Sequence, residues 1–160
     1  ACFRAGLKEN HRTEIHIPHM RSVGPLLRVT CIRHPVDWLQ SYFASIKSGM
    51  IGIPEVDAFR VDQDTPFDDF VRRYLDQMPG QVGRMFESYH ADVFVRVEDL
   101  PWALIDLLES VGVPRVMRER CLVLGRQNAS HPKNQPMWSP SLRTRVEVAE
   151  SEFMERYEYR

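Results

Sequence analysis

The chain is poor in lysine. Of its 21 basic residues only Lys8, Lys47 and Lys133 are lysines, and the rest are arginines. A genome biased in base composition gives the same skew, but the arginine fork also suits phosphate and carboxylate groups. Cysteine is scarce too: Cys2, Cys31 and Cys121 lie far apart and form no metal-ligand spacing. A zinc site or a disulfide framework is therefore not expected, and Cys31 and Cys121 read as buried free thiols of a reducing compartment, which points to the cytoplasm. No stretch approaches the roughly 20 apolar residues that span a bilayer, and the opening residues show no signal-peptide pattern. Glycine is sparse, with eight in 160 residues, and no Gly/Ser/Thr-rich turn carrying a lysine occurs. The formal net charge of −1 gives no global pull toward nucleic acid or an anionic membrane.

What is present fits one soluble α/β domain over residues 1–160, with 43% hydrophobic and 27% charged residues. Residues 1–9 read as the end of a helix with no cap or strand before it, so the natural N-terminus is expected to lie upstream. Residues 14–17 form a short possible strand stopped by Pro18. Residues 26–32 (LLRVTCI) are a β-branched apolar run, hence a buried strand, and residues 92–97 (DVFVRV) are a second. Pro35 opens a helix that carries Val36, Leu39, Tyr42, Phe43 and Ile46 on one face and ends near Gly49. A second helix from Pro66 turns Phe67, Phe70, Val71 and Leu75 inward, and residues 80–90 form a third. Residues 101–111 are amphipathic through Trp102, Leu104, Ile105 and Leu108, and residues 115–124 are helical. Ser139 caps a final helix over residues 140–157. Strands alternating with helices predict a parallel sheet covered by helices on both faces, a three-layer α/β arrangement.

The stretch VTCIRHPVDWLQSYF, residues 29–43, concentrates the chemistry. A strand ends at Arg33 and a helix starts at Pro35. Ligands of α/β sheets bind at the carboxyl ends of strands, and a helix N-terminus offers free amides and positive potential to a phosphate. Arg33 supplies a bidentate fork there, and Ser41 lies eight residues on, about two helical turns later. The plainer reading is an Arg-Pro helix start with a buried serine.

Arg33-His34-Pro35 followed by Ser41-Tyr42-Phe43 resembles the 3′-phosphate motif of the sulfotransferase family. Those enzymes use 3′-phosphoadenosine 5′-phosphosulfate (PAPS) and leave adenosine 3′,5′-bisphosphate. Asp37 and the aromatic pair after Ser41 are also similar. Residues 94–100 (FVRVEDL) look like the family's Arg-Tyr-Glu-Asp-Leu strand end, with Val97 in place of the tyrosine near the adenine. Glu98 and Asp99 read more simply as caps of the next helix. Residues 126–130 (RQNAS) resemble a late Arg-Asn-x-Ser loop, followed by a last helix ending in aromatics such as Tyr157 and Tyr159. The resemblance implies that Arg126 and Lys133 close over the nucleotide. Ile15-His16-Ile17-Pro18 resembles the segment whose histidine is the general base, which makes His16 the candidate catalytic residue, with His19 the alternative register. Glu14 stands where the family has lysine, and His16 is 17 residues before Arg33.

The resemblance implies a P-loop-like sulfotransferase fold that lacks the loop for the 5′-phosphosulfate and is incomplete at its N-terminus. It implies sulfuryl transfer from PAPS to a hydroxyl or amine of an unidentified acceptor, a small molecule or saccharide, with no metal required. Two other classes stay open. One is a non-catalytic nucleotide-binding or interaction domain of the same fold. The other is a nucleotide kinase, which needs a Mg²⁺-holding aspartate at a strand end, for which Asp99 is the candidate. The oligomeric state is open, since Tyr157 and Tyr159 can pack on this subunit or on another.

Overall fold

In the computed structural model, residues 27–49, 59–62, 64–123 and 135–159 are described. They form a mostly helical α/β arrangement around a two-stranded parallel sheet. Strand β1 is Val29–Ile32 and β2 is Val93–Arg96, paired from Val29 against Val93 to Ile32 against Arg96. The start of the pair is fixed by Asp92, whose carboxylate accepts the Arg28 backbone amide (2.8 Å) and its guanidinium (3.1 Å). Both strands are shorter than the sequence predicts. They are also less buried: Ile32 and Val95 are enclosed, whereas Val29 is exposed and Thr30 and Cys31 are half-buried. The expectation of fully buried strands is corrected accordingly, because the described sheet has two strands and no third to flank them.

Helix α1, Pro35–Lys47, begins as the sequence dictates. Pro35 occupies the first helical position, where its missing amide costs nothing. His34 is the N-cap, and its Nδ1 accepts the Val36 amide at 3.2 Å. Asp37 in the first turn and Lys47 in the last complement the helix dipole. Gly49, at φ +72°, then takes the left-handed conformation that ends the helix. Helix α2 is Phe67–Gln77 and α3 is Gln81–Glu87. On α2 the i, i+3, i+4, i+7 set is Phe67, Phe70, Val71 and Tyr74, all buried. Tyr74 holds the inner position expected of Leu75, which is only half-buried.

Helix α4, Trp102–Ser110, and α5, Arg115–Val123, bury no residue fully. Trp102, expected to face inward, is 64% exposed. The last helix, expected to run unbroken over residues 140–157, is two pieces, α6 Pro140–Ala149 and α7 Ser151–Arg156, separated at Glu150. Ser139 precedes α6 without capping a backbone amide through its side chain, whose hydroxyl meets that of Ser141 at 3.0 Å. One apolar core joins Ile32, the inner faces of α1, α2 and α3, and Leu142, Val146 and Phe153 of α6 and α7. Burying these side chains is worth about 1.5–3 kcal/mol each before conformational entropy is set against it. This packing fixes β1 and α1 relative to each other, and with them the turn that carries Arg33. No described helix is long and apolar enough to cross a membrane.

Candidate functional site

The site is built on the turn from β1 to α1. Ile32 is sealed in the core, and the chain surfaces at Arg33 and His34, both half-buried. Arg33 makes no hydrogen bond or ion pair with any described residue. That is unusual here, because most arginines of the described chain are committed: Arg28 to Asp92, Arg72 to Asp68 and Asp69, Arg96 to Asp99, Arg156 to Glu87 and Glu152. Ser41 lies on the less buried flank of α1 with Asp37 and Ser45, in i, i+4 register. Its carbonyl accepts the Ser45 hydroxyl at 2.8 Å, while its own hydroxyl has no partner among the described residues. A guanidinium and a hydroxyl thus stand on one strand–helix unit, about two turns apart, without partners among the described residues. Asp37 already compensates part of the helix field, so an anion held here relies on Arg33 more than on the dipole.

The second wall follows β2. Since Ile32 pairs with Arg96, Arg33 and Val97 leave the sheet side by side. Val97–Asp99 form a short 3₁₀ turn. Glu98 Oε1 accepts the backbone amide of His34 at 3.0 Å, and Oε2 accepts the Tyr159 hydroxyl at 3.3 Å. The Tyr159 ring meets the His34 ring edge to face, with centroids 5.3 Å apart. Arg96 stands over the Tyr159 ring at 5.8 Å, binds Asp99 at 2.6 Å and donates to the Glu158 carbonyl at 3.2 Å. Burial, then the charge and hydrogen bond of Glu98, push the Tyr159 phenol far above its ordinary range, so it remains a protonated donor. Glu98 and Asp99 therefore do not cap α4, which has Pro101 at its N-cap and no side-chain cap at all. Asp99 is paired with Arg96 and is not a free magnesium ligand. Tyr159 packs on its own chain, through contacts with His34, Arg96 and Phe153.

On the opposite flank, Gln40 Nε2 donates to the Pro136 carbonyl at 2.5 Å, and Trp138 packs edge-on against Phe67 with centroids 4.8 Å apart. Residues 135–139 thus pass beside α1 one position from Ser41. His16, His19, Arg126 and Lys133 lie outside the described residues, as does the whole late loop at 126–130. Of the candidate set, Arg33 and Ser41 are placed, and they share one unit. The Glu98–Tyr159 contact is not predicted by the sequence. Its sequence signal was Glu-Asp directly after a strand that ends opposite Ile32, which has meaning only once the register is known.

An open groove of about 380 Å³ runs along β2, between Ala103 and Leu107 of α4 and the turn at Tyr157 and Glu158. It includes neither Arg33 nor Ser41, and its two arginines, Arg96 and Arg156, are held by internal carboxylates. The strand–helix turn, by contrast, carries a guanidinium and a hydroxyl without partners among the described residues. No cluster of three or more His, Cys, Asp or Glu able to hold a metal occurs among the described residues. Compared with known protein families, curated proteins and solved structures, the chain matches none.

Proposed function

We propose that this chain binds the 3′-phosphate of a phosphoadenosine nucleotide at the β1–α1 turn and serves as the nucleotide-gripping part of a PAPS-dependent sulfotransferase. The observation that carries the reading is the pair Arg33 and Ser41, half-buried, on one strand–helix unit and without partners among the described residues. Arg33 offers two parallel N–H donors to phosphate oxygens, and Ser41 adds a hydroxyl from the helix flank. The resemblance of residues 33–43 to the sulfotransferase motif supplies the identity of the ligand and, with it, a P-loop-like fold.

In this reading PAPS is a donor substrate. The acceptor hydroxyl or amine attacks sulfur as the bond from sulfur to the 5′-phosphate oxygen breaks. His16 takes the acceptor's proton, and adenosine 3′,5′-bisphosphate leaves. Arg126 and Lys133 belong to the loop that closes over the nucleotide. Positioning and charge neutralisation supply most of such catalysis.

Thermal unfolding in the presence of adenosine 3′,5′-bisphosphate tests the reading. At a hundredfold excess over the dissociation constant the ligand adds about 2.7 kcal/mol, a rise of roughly 5–10 °C for a chain of this size. The expected result is such a rise in the wild type and, at the same ligand concentration, a rise of about half or less in Arg33→Ala. An equal rise in both contradicts the assignment of Arg33.

A further inference from the structure

We infer that Glu98 is a positioning residue for the phosphate-binding arginine, acting through the His34 amide and held in place by the C-terminal Tyr159; this rests on the 3′-phosphate reading of Arg33. The last paired residues of the sheet are Ile32 and Arg96. Beyond them the ladder no longer fixes the backbone, and Arg33 sits one residue past that point. Among the described residues no side chain holds the Arg33 guanidinium, and its own backbone sets the direction in which the side chain leaves the turn.

The peptide unit after Arg33 carries the His34 N–H, and this is the group that Glu98 Oε1 accepts at 3.0 Å. The other turn groups are already spent: Pro35 has no N–H, and the Val36 amide is taken by His34 Nδ1. The bond from Glu98 therefore sets the Arg33–His34 peptide plane from across the sheet. Glu98 is held in turn by the Tyr159 hydroxyl at Oε2. Tyr159 is itself braced by the edge of His34, by Arg96 over its ring, and by the bond from Arg96 to the Glu158 carbonyl. His34, Glu98 and Tyr159 thus close a ring of contacts among three segments: the β1–α1 turn, the 3₁₀ turn and the residues after α7. Removing one member frees the turn without touching Arg33 or Ser41.

The test is calorimetric titration with two probes, adenosine 3′,5′-bisphosphate and adenosine 5′-phosphate, which differ only in the 3′-phosphate. The quantity read is the ratio of the two affinities. In Glu98→Ala the preference for the bisphosphate is expected to fall about tenfold, with the affinity for the monophosphate little changed. Glu98→Gln is expected to restore it, because the amide oxygen can accept from His34 while the amide nitrogen donates to the Tyr159 oxygen. Tyr159→Phe is expected to lower the ratio in the same sense, and it carries the test should Glu98→Ala fail to fold. A wild-type preference that survives in Glu98→Ala and Tyr159→Phe overturns the inference and leaves the 3′-phosphate site standing. An equal loss for both probes also overturns it, since that marks a merely structural role, as does failure of Glu98→Gln to rescue. A wild type that binds neither probe, or both equally, refutes the 3′-phosphate reading itself.

Discussion

The phenol of Tyr74, on α2, donates a hydrogen bond to the carboxylate of Glu150, the residue that separates α6 from α7. Glu150 is only 1% exposed, the one charged residue in the core described here. Its two oxygens also accept the amides of Val82 (3.1 Å) and Gly83 (2.8 Å), the second and third residues of α3. One carboxylate thus caps α3, whose own N-cap is a glycine without a side chain, and ties it to α2 and to the C-terminal helices. The interruption of the last helix has a physical reason in this: Glu150 turns inward to meet donors that cannot be left unpaired.

Glu150→Gln is expected to destabilise the fold by about 1–3 kcal/mol, because an amide nitrogen, unlike either oxygen of the carboxyl group, ionised or protonated, cannot accept from the donor it meets. Burial holds the Glu150 carboxyl above its ordinary range, against the opposing hydrogen bonds of Tyr74, Gly83 and Val82. The sign follows from proton linkage. A carboxyl whose pKa is raised on folding binds its proton more tightly in the native state, so its contribution is fullest below the unfolded value, about 4.3. It is lost as pH rises through the raised folded value. Urea unfolding of both proteins should therefore show the penalty of the substitution largest in acid and smaller at neutral pH. A penalty that grows toward neutral pH contradicts the account.

Gly83→Ala tests the closeness of α3 to α7. A Cβ at this position would lie 2.6 Å from the Phe153 Cβ and 3.0 Å from Glu150 Oε2. Alanine favours a helix over glycine by about 1 kcal/mol, but overpacking costs about 1–3 kcal/mol and disturbs the carboxylate contact as well. Net destabilisation is expected in denaturant melts; a stabilised Gly83→Ala would show that the two helices stand further apart.

Cys31 is half-buried in β1, and burial pushes its thiol above the ordinary range. The thiolate is the reactive form. In a variant keeping Cys31 as its sole cysteine, alkylation under native conditions should be slower than in denaturant by about tenfold or more. Equal rates would place the β1 thiol in open solvent.

The strand–helix unit around Arg33 was readable because local signals agree: a β-branched run, a proline at a helix start, and apolar residues at helical spacing from Val36 to Ile46. The inner face of α2 was readable from Phe67, Phe70 and Val71. What was not readable depends on contacts distant in sequence. Residues 140–157 carry a continuous helical pattern, and nothing local shows that Glu150 turns inward, because its partners Tyr74, Val82 and Gly83 lie on other helices. Glu98 follows a strand and precedes a helix, so it reads as a cap until the strand register sets it opposite His34. Trp102 sits on an amphipathic pattern that promises burial, yet it faces outward among the described residues.

The most direct test of the account is calorimetric titration of the chain with adenosine 3′,5′-bisphosphate, wild type beside Arg33→Ala and Ser41→Ala. Removing a charge-assisted contact to phosphate costs about 1.5–3 kcal/mol, roughly ten- to a hundredfold in affinity. The expected result is saturable binding by the wild type that weakens by that factor in Arg33→Ala and by less in Ser41→Ala. Binding that is indifferent to Arg33, or no binding at all, would contradict a 3′-phosphate site at the β1–α1 turn.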